Sequence, residues 1–115
     1  MGGDSPLRPL LSIAQQPFAD LRLAALGAVR SLAALPWGQR RLHAQAGFDE
    51  YALDRGTERS KEGLEAKFGV VATLAAAPTA TDVFGWAYVA RLGDYVKEGA
   101  FYLRRDVQVA MDNAE

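Results

Sequence analysis

The chain has 115 residues, with 13 Lys+Arg against 14 Asp+Glu, a single His and no Cys. That length suits one domain that buries about 60% or more of its unfolded surface, while a net charge of -1 supplies no basic field for a phosphate backbone, so nucleic acid is not an expected partner. Without cysteine there is no disulfide, no thiolate nucleophile and no Cys-based zinc or iron-sulfur site, and His43 alone cannot build a multi-histidine metal centre.

The N-terminus, MGGDSPLRPLLSIAQQP, lacks a basic stretch followed by a sustained apolar block and a small-residue cleavage site, so it does not read as a secretory leader. A cytoplasmic location is expected, with the nucleus also open. Ala (21) and Leu (14) far outnumber Val, Ile and Thr (13 together), a balance that favours helix over sheet. A leading helix is predicted over Leu7 to Gln16. Leu21, Ala24, Ala25, Ala28, Val29, Leu32 and Leu35 then mark one face of a long helix, with Pro17 in its first turn and Pro36 as its stop. Trp37 to Ala46 and Phe48 to Arg55 read as shorter helical pieces divided by Gly47. Leu64, Phe68, Val71, Leu74 and Ala75 give a second long helix, entered from Thr57 to Glu62 and ended near Pro78. The longest uncharged run, Phe68 to Thr81, has 14 residues, short of the roughly 20 that a spanning helix needs, so no membrane is expected as a partner. Thr81 to Phe84 and Trp86 to Lys97 follow, closed by Gly99. Phe101, Tyr102 and Leu103 are expected to fold back as a cap, and the tail from Arg104 to fray.

Sliding the chain by 42 residues lays residues 24–36 (AALGAVRSLAALP) on 66–78 (AKFGVVATLAAAP). Ala24, Gly27, Val29, Leu32, Ala33, Ala34 and Pro36 fall on identical residues, and Ser31 falls on Thr73. Such a period is that of armadillo and HEAT units, helical hairpins that bury their apolar faces only against stacked neighbours. The expected fold is all-α, a single armadillo/HEAT-like α-solenoid fragment over 1–115. Residues 1–5 are expected to be disordered, 17–56 form repeat one, 57–103 repeat two with the cap, and 104–115 a tail. Two repeats fall below the three or so of a stable array, so more of the solenoid is expected ahead of them, and an uncapped N-terminal face would expose Leu10, Leu11 and Ile13.

No nucleotide loop or zinc-helix motif occurs, so no cofactor is expected. His43, beside Arg40 and Arg41 with no serine elbow, reads as a surface histidine rather than a base. Asp49, Glu50, Asp54, Glu58, Glu62 and Glu65, interleaved with Arg55, Arg59, Lys61 and Lys67 at helical spacings, read as a solvated, ion-paired face. The aromatics read as packing at inter-repeat seams, and Arg40-Arg41 and Arg104-Arg105 as solvated or partner-facing pairs. In an armadillo unit the long third helix lines the concave surface. There Gly27, Ser31, Gly69 and Thr73 would form a smooth floor edged by Arg30 and Glu65, without the Asn and Trp ladders that clamp extended peptides. Arg30, Ser31, Glu65 and Thr73 are therefore the candidate partner-binding residues, and a folded partner suits them better than a peptide.

The segments PWGQRRL (36–42), GFDEYALDR (47–55), EAKFGVVATLA (65–75) and VFGWAYVARLGDYVKEGAFYLRRDV (83–107) resemble the C-terminal end of the proteasome non-ATPase regulatory subunit 5 family. The resemblance runs from Pro17 and keeps order and spacing through irregular linkers as well as helices. It implies a longer armadillo/HEAT-like solenoid with no enzymatic activity. It also implies a chaperone role in assembling the base of the 26S proteasome regulatory particle, with the C-terminal domain of one proteasomal AAA ATPase and base assembly intermediates as partners. ATP hydrolysis would belong to that client. A generic armadillo-type scaffold, or a structural cap without binding activity of its own, shares the same sequence features.

Overall fold

The computed structural model describes residues 7–102, and among them every regular element is helical. The helices are α1 (Leu7–Ala14), α2 (Ala19–Ala33), α3 (Pro36–Ala44), α4 (Phe48–Leu53), α5 (Lys61–Ala76), α6 (Ala80–Phe84) and α7 (Trp86–Glu98). A short 3-10 turn, Arg55–Thr57, lies between α4 and α5. The expected disordered stretch 1–5, Leu103 of the expected cap, the Arg104-Arg105 pair and the tail 104–115 lie outside the described residues.

The two long helices follow the apolar stripes closely, but their prolines act differently from expectation. Pro17 stands outside α2, ahead of its N-cap Phe18. Pro36 does not stop α2, which has already ended at Ala33; it opens α3, where a fixed φ suits the first turn and the missing N–H costs nothing. It also holds Leu35 extended at φ -112°, ψ 136°, as the steric clash ahead of proline demands. Gly47, at φ +86°, makes the left-handed corner between α3 and α4, a conformation disfavoured by any Cβ. α5 is capped by Ser60, whose Oγ accepts the Gly63 N–H at 2.9 Å.

α2 lies along α5, with α1 packed on α2 and α7 packed on α5. α3 packs on α6, and α4 touches both α5 and α7. Elements one 42-residue period apart are thus stacked on each other: α2 on α5, α3 on α6, α4 on α7. Leu26, Val29, Leu42, Val70, Val71, Leu74 and Leu92 are fully buried between them, each stabilising the fold by about 1.5–3 kcal/mol. Gln39 is buried too, and its amide is satisfied: Nε2 donates to the Ala33 carbonyl at 2.9 Å and Oε1 accepts from the Thr79 hydroxyl at 2.7 Å. That pair ties the end of α2 to the α5–α6 turn.

The aromatics divide between core and surface. Phe48, Tyr51, Phe84 and Tyr95 are buried, as a seam reading predicts, but Trp37, Trp86, Phe101 and Tyr102 are exposed. Of the expected cap, Tyr102 lies 5.2 Å from the Arg55 guanidinium, while Phe101 stays half in solvent. The bare N-terminal face differs in detail as well. Leu11 is buried and Leu10 partly so, leaving Ile13, Phe18 and Leu21 exposed.

Candidate partner-binding surface

The four candidate residues sit on the two stacked long helices. Arg30 and Ser31 occupy the last turns of α2; Glu65 and Thr73 lie on α5. Ser31 donates its hydroxyl to the Gly27 carbonyl at 3.2 Å, and Thr73 donates to the Gly69 carbonyl at 2.8 Å. The same bond thus recurs one period apart. Both hydroxyl protons are committed to their own helix, so towards a partner each oxygen is left as an acceptor.

Arg30 is exposed and reaches across to α5: a Cβ on Gly69 would lie 3.0 Å from its Nη1. Gly69 is therefore buried beneath a guanidinium, whereas its counterpart Gly27 is exposed with nothing within 4 Å of a Cβ. Glu65 is exposed one turn before Gly69. Arg30 and Glu65 have no ion-pair partner among the described residues, either with each other or elsewhere. Arg30 thus covers part of this small-residue face, and it and Glu65 stay free of ion pairs with the described residues. This arrangement can bind by charge and shape, and it holds no nucleophile beside a base.

The expected solvated face of charges holds for Glu50, Asp54, Arg59, Lys61, Glu62 and Glu65, which are exposed, and fails for three residues. Glu58 and Lys67 are buried, and Arg55 largely so. Arg22 pairs with Glu58 at 2.6 Å and donates to the carbonyls of Gln16 and Thr57 at 2.8 and 2.7 Å. Lys67 Nζ donates to Thr57 Oγ1 at 2.6 Å and to the Asp54 carbonyl at 3.1 Å, and lies 4.0 Å from the centre of the Tyr51 ring. Arg55 covers the Tyr95 ring at 3.8 Å and donates to the carbonyls of Gly99 and Tyr95. These cations stitch the irregular 54–60 segment to α2, α5 and α7. Burial pushes the Lys67 ammonium down to about 8, with Glu58 opposing the shift, and pushes the Tyr51 and Tyr95 hydroxyls up. Lys67 could have been found in the sequence, because Gly63, Lys67, Val70 and Leu74 share one helical stripe. Arg22, Arg55 and Glu58 carry no comparable signal.

His43 is partly exposed, as expected, and pairs with Asp49 through Nδ1 at 2.8 Å. Its ring meets Phe84 edge-on at 5.0 Å, and the Tyr88 hydroxyl donates to the Asp49 carbonyl at 2.8 Å. The pair staples α3, α4 and α7 together. No cluster of His, Asp and Glu among the described residues could hold a metal, and no described helix is long and apolar enough to cross a membrane. A cavity of about 510 Å³ beside α1, lined by Arg8, Gln15, Gln45 and Tyr51 among others, includes none of the four candidates.

The chain is similar to proteins named 26S proteasome non-ATPase regulatory subunit 5. It is 36% identical to those of Bos taurus and Homo sapiens over 110 residues, and 35% identical to that of Mus musculus over 103. The alignments cover 96%, 96% and 90% of this chain but only 22%, 22% and 20% of the relatives, so the chain spans about a fifth of their length. No solved structure matches it. The sequence profile of the proteasome non-ATPase 26S subunits matches from residue 1 to residue 115. With that match over the whole chain and identity above a third across 110 residues, the chain belongs to the family of proteasome non-ATPase 26S subunits.

Proposed function

We propose that this chain is a segment of an armadillo/HEAT-like α-solenoid that acts, without enzymatic activity, as a cytoplasmic chaperone in assembling the base of the 26S proteasome regulatory particle. Its client is the C-terminal domain of one proteasomal AAA ATPase, held against the α2–α5 face and carried with base assembly intermediates. The reading rests on family membership together with one structural observation: the repeated Gly27–Ser31 and Gly69–Thr73 pairs lie beside two ions, Arg30 and Glu65, that have no ion-pair partner among the described residues.

A face of small side chains suits a folded surface, since an extended peptide is gripped by backbone-binding amides and stacked aromatics. Occupying the client's surface delays its contact with later partners, so assembly order follows from competition rather than chemistry. The test is co-elution of the chain with the isolated C-terminal domains of the proteasomal ATPases, with an unrelated helical-repeat domain as control. Selective retention of one ATPase domain, weakened by Arg30→Ala and Glu65→Ala, is the expected result. If no ATPase domain is retained, the reading is wrong for this segment.

A further inference from the structure

The 42-residue period separates what stacking requires from what it does not. Pro36 and Leu42 recur as Pro78 and Phe84, and Leu42 and Phe84 are both buried. Trp37, Arg40 and Arg41 recur as Thr79, Asp82 and Val83, a change of type at each position and a reversal of charge at the second. Stacking one unit on the next therefore does not call for these three side chains, and yet they stand together. On α3, Trp37, Arg40, Arg41 and Ala44 fall at i, i+3, i+4 and i+7, one face of the helix, and all four are exposed, Trp37 by 53%. Gly38, Gln39 and Leu42 take the opposite, buried side. α3 carries no carboxylate, and neither arginine has an ion-pair partner among the described residues.

We propose that this face of α3 is a docking surface for an acidic segment of another protein, one in which carboxylates flank an apolar side chain. The two guanidinia present paired donors that fit carboxylates bidentately, and the Trp37 ring beside them supplies a flat apolar surface of the kind that anchors interfaces. Charge selects the partner's sign: with both cations unpaired, an acidic segment gains two charge-assisted contacts and a basic one is repelled. Nucleic acid is not the match, because two arginines in a chain of net charge -1 do not make the extended basic track that a phosphate backbone needs. The face includes none of Arg30, Ser31, Glu65 and Thr73, and the inference does not rest on the proposed function.

Trp37 and Trp86 are the chain's two tryptophans. With Trp86→Phe, a substitution at a side chain 76% exposed, the fluorescence of Trp37 reports this face alone. The probe is a short acetylated, amidated peptide in which glutamates flank leucines, run against the same peptide with glutamine at every glutamate. A saturable change with the acidic peptide and none with the neutral one is the expected result. Arg40→Gln and Arg41→Gln should each raise the dissociation constant about tenfold, with an unchanged helical circular dichroism spectrum because both side chains are exposed, and added salt should weaken binding. Absence of saturable binding, equal binding of the neutral peptide, binding indifferent to both arginine substitutions, or displacement of the peptide by a single-stranded oligonucleotide would each overturn the proposal.

Discussion

Glu65 and Lys67 stand two positions apart on α5 and have opposite fates: the carboxylate is exposed with no ion-pair partner among the described residues, whereas Lys67 is 1% exposed and its ammonium reaches residues 54 and 57. The same contrast separates two regions. Beneath the 54–60 segment, Arg22, Arg55, Glu58 and Lys67 use their charges on carbonyls, rings and each other. Across the α2–α5 face, Arg30 and Glu65 form no ion pair with any described residue. Charges of the first kind specify where an irregular segment sits, and removing one strands its partner in a medium that cannot solvate it. Charges of the second kind cost the fold nothing to change, so a role for them has to come from outside the chain.

The hardest way to break that contrast is at its buried pole. Arg22→Ala leaves Glu58, 2% exposed in its side chain, without its ion-pair partner and frees the Gln16 and Thr57 carbonyls. Loss of one partner from a buried pair costs about 3–5 kcal/mol, which urea titration should record as a large drop in midpoint. A result below about 1 kcal/mol would mean that the region is open to water.

Titration gives a second, somewhat smaller effect. Lys67 is pushed down to about 8 from an ordinary 10.5. Between those values the unfolded chain keeps a proton that the folded chain has released, so stability rises with pH across the window, by at most about 3 kcal/mol. Tyr51 and Tyr95 act in the opposite sense: burial raises their folded values above 10, so stability falls once the unfolded tyrosines ionise. Unfolding free energy measured from pH 7 to 11 should therefore peak near 10, and Lys67→Met should flatten its rising limb. A wild-type curve flat from 8 to 10 would contradict the burial of a charged Lys67.

The cap of α5 sharpens the comparison at a smaller scale. Ser60→Ala removes the acceptor of the Gly63 N–H and should cost about 1 kcal/mol, whereas Ser60→Asp should retain most of it. Equal losses for both would show that the cap contributes nothing.

Sequence periodicity located these helices because a buried stripe leaves a 3.6-residue trace in the chain itself. It also revealed the stacking, because Gly27–Ser31 and Gly69–Thr73 repeat at one interval. What it could not separate was buried charge from solvated charge in 54–67. Glu58 and Lys67 are held by Arg22 and Thr57, contacts that depend on how α2 lies along α5, and helical spacing carries no information about a neighbouring helix. Pro36 misled for a local reason: a proline that could end one helix can equally begin the next, and the two-residue gap between Ala33 and Pro36 is too short to tell.

The smallest stability effect belongs to the exposed pole, and there it is informative because it is small. Arg30 and Glu65 make no ion pair with a described residue, so Arg30→Ala and Glu65→Ala should each shift stability by no more than about 0.5 kcal/mol. Arg30 has one further function inside the chain, its stem lying over Gly69, so Arg30→Gln, which keeps most of that cover without the charge, separates packing from electrostatics. If retention of an ATPase domain falls in Arg30→Gln as it does in Arg30→Ala, the charge carries the contact, and added salt should weaken the wild-type complex in parallel. If Arg30→Gln binds like wild type, the face works by shape, and the unpaired guanidinium is only a cover for the glycine beneath it.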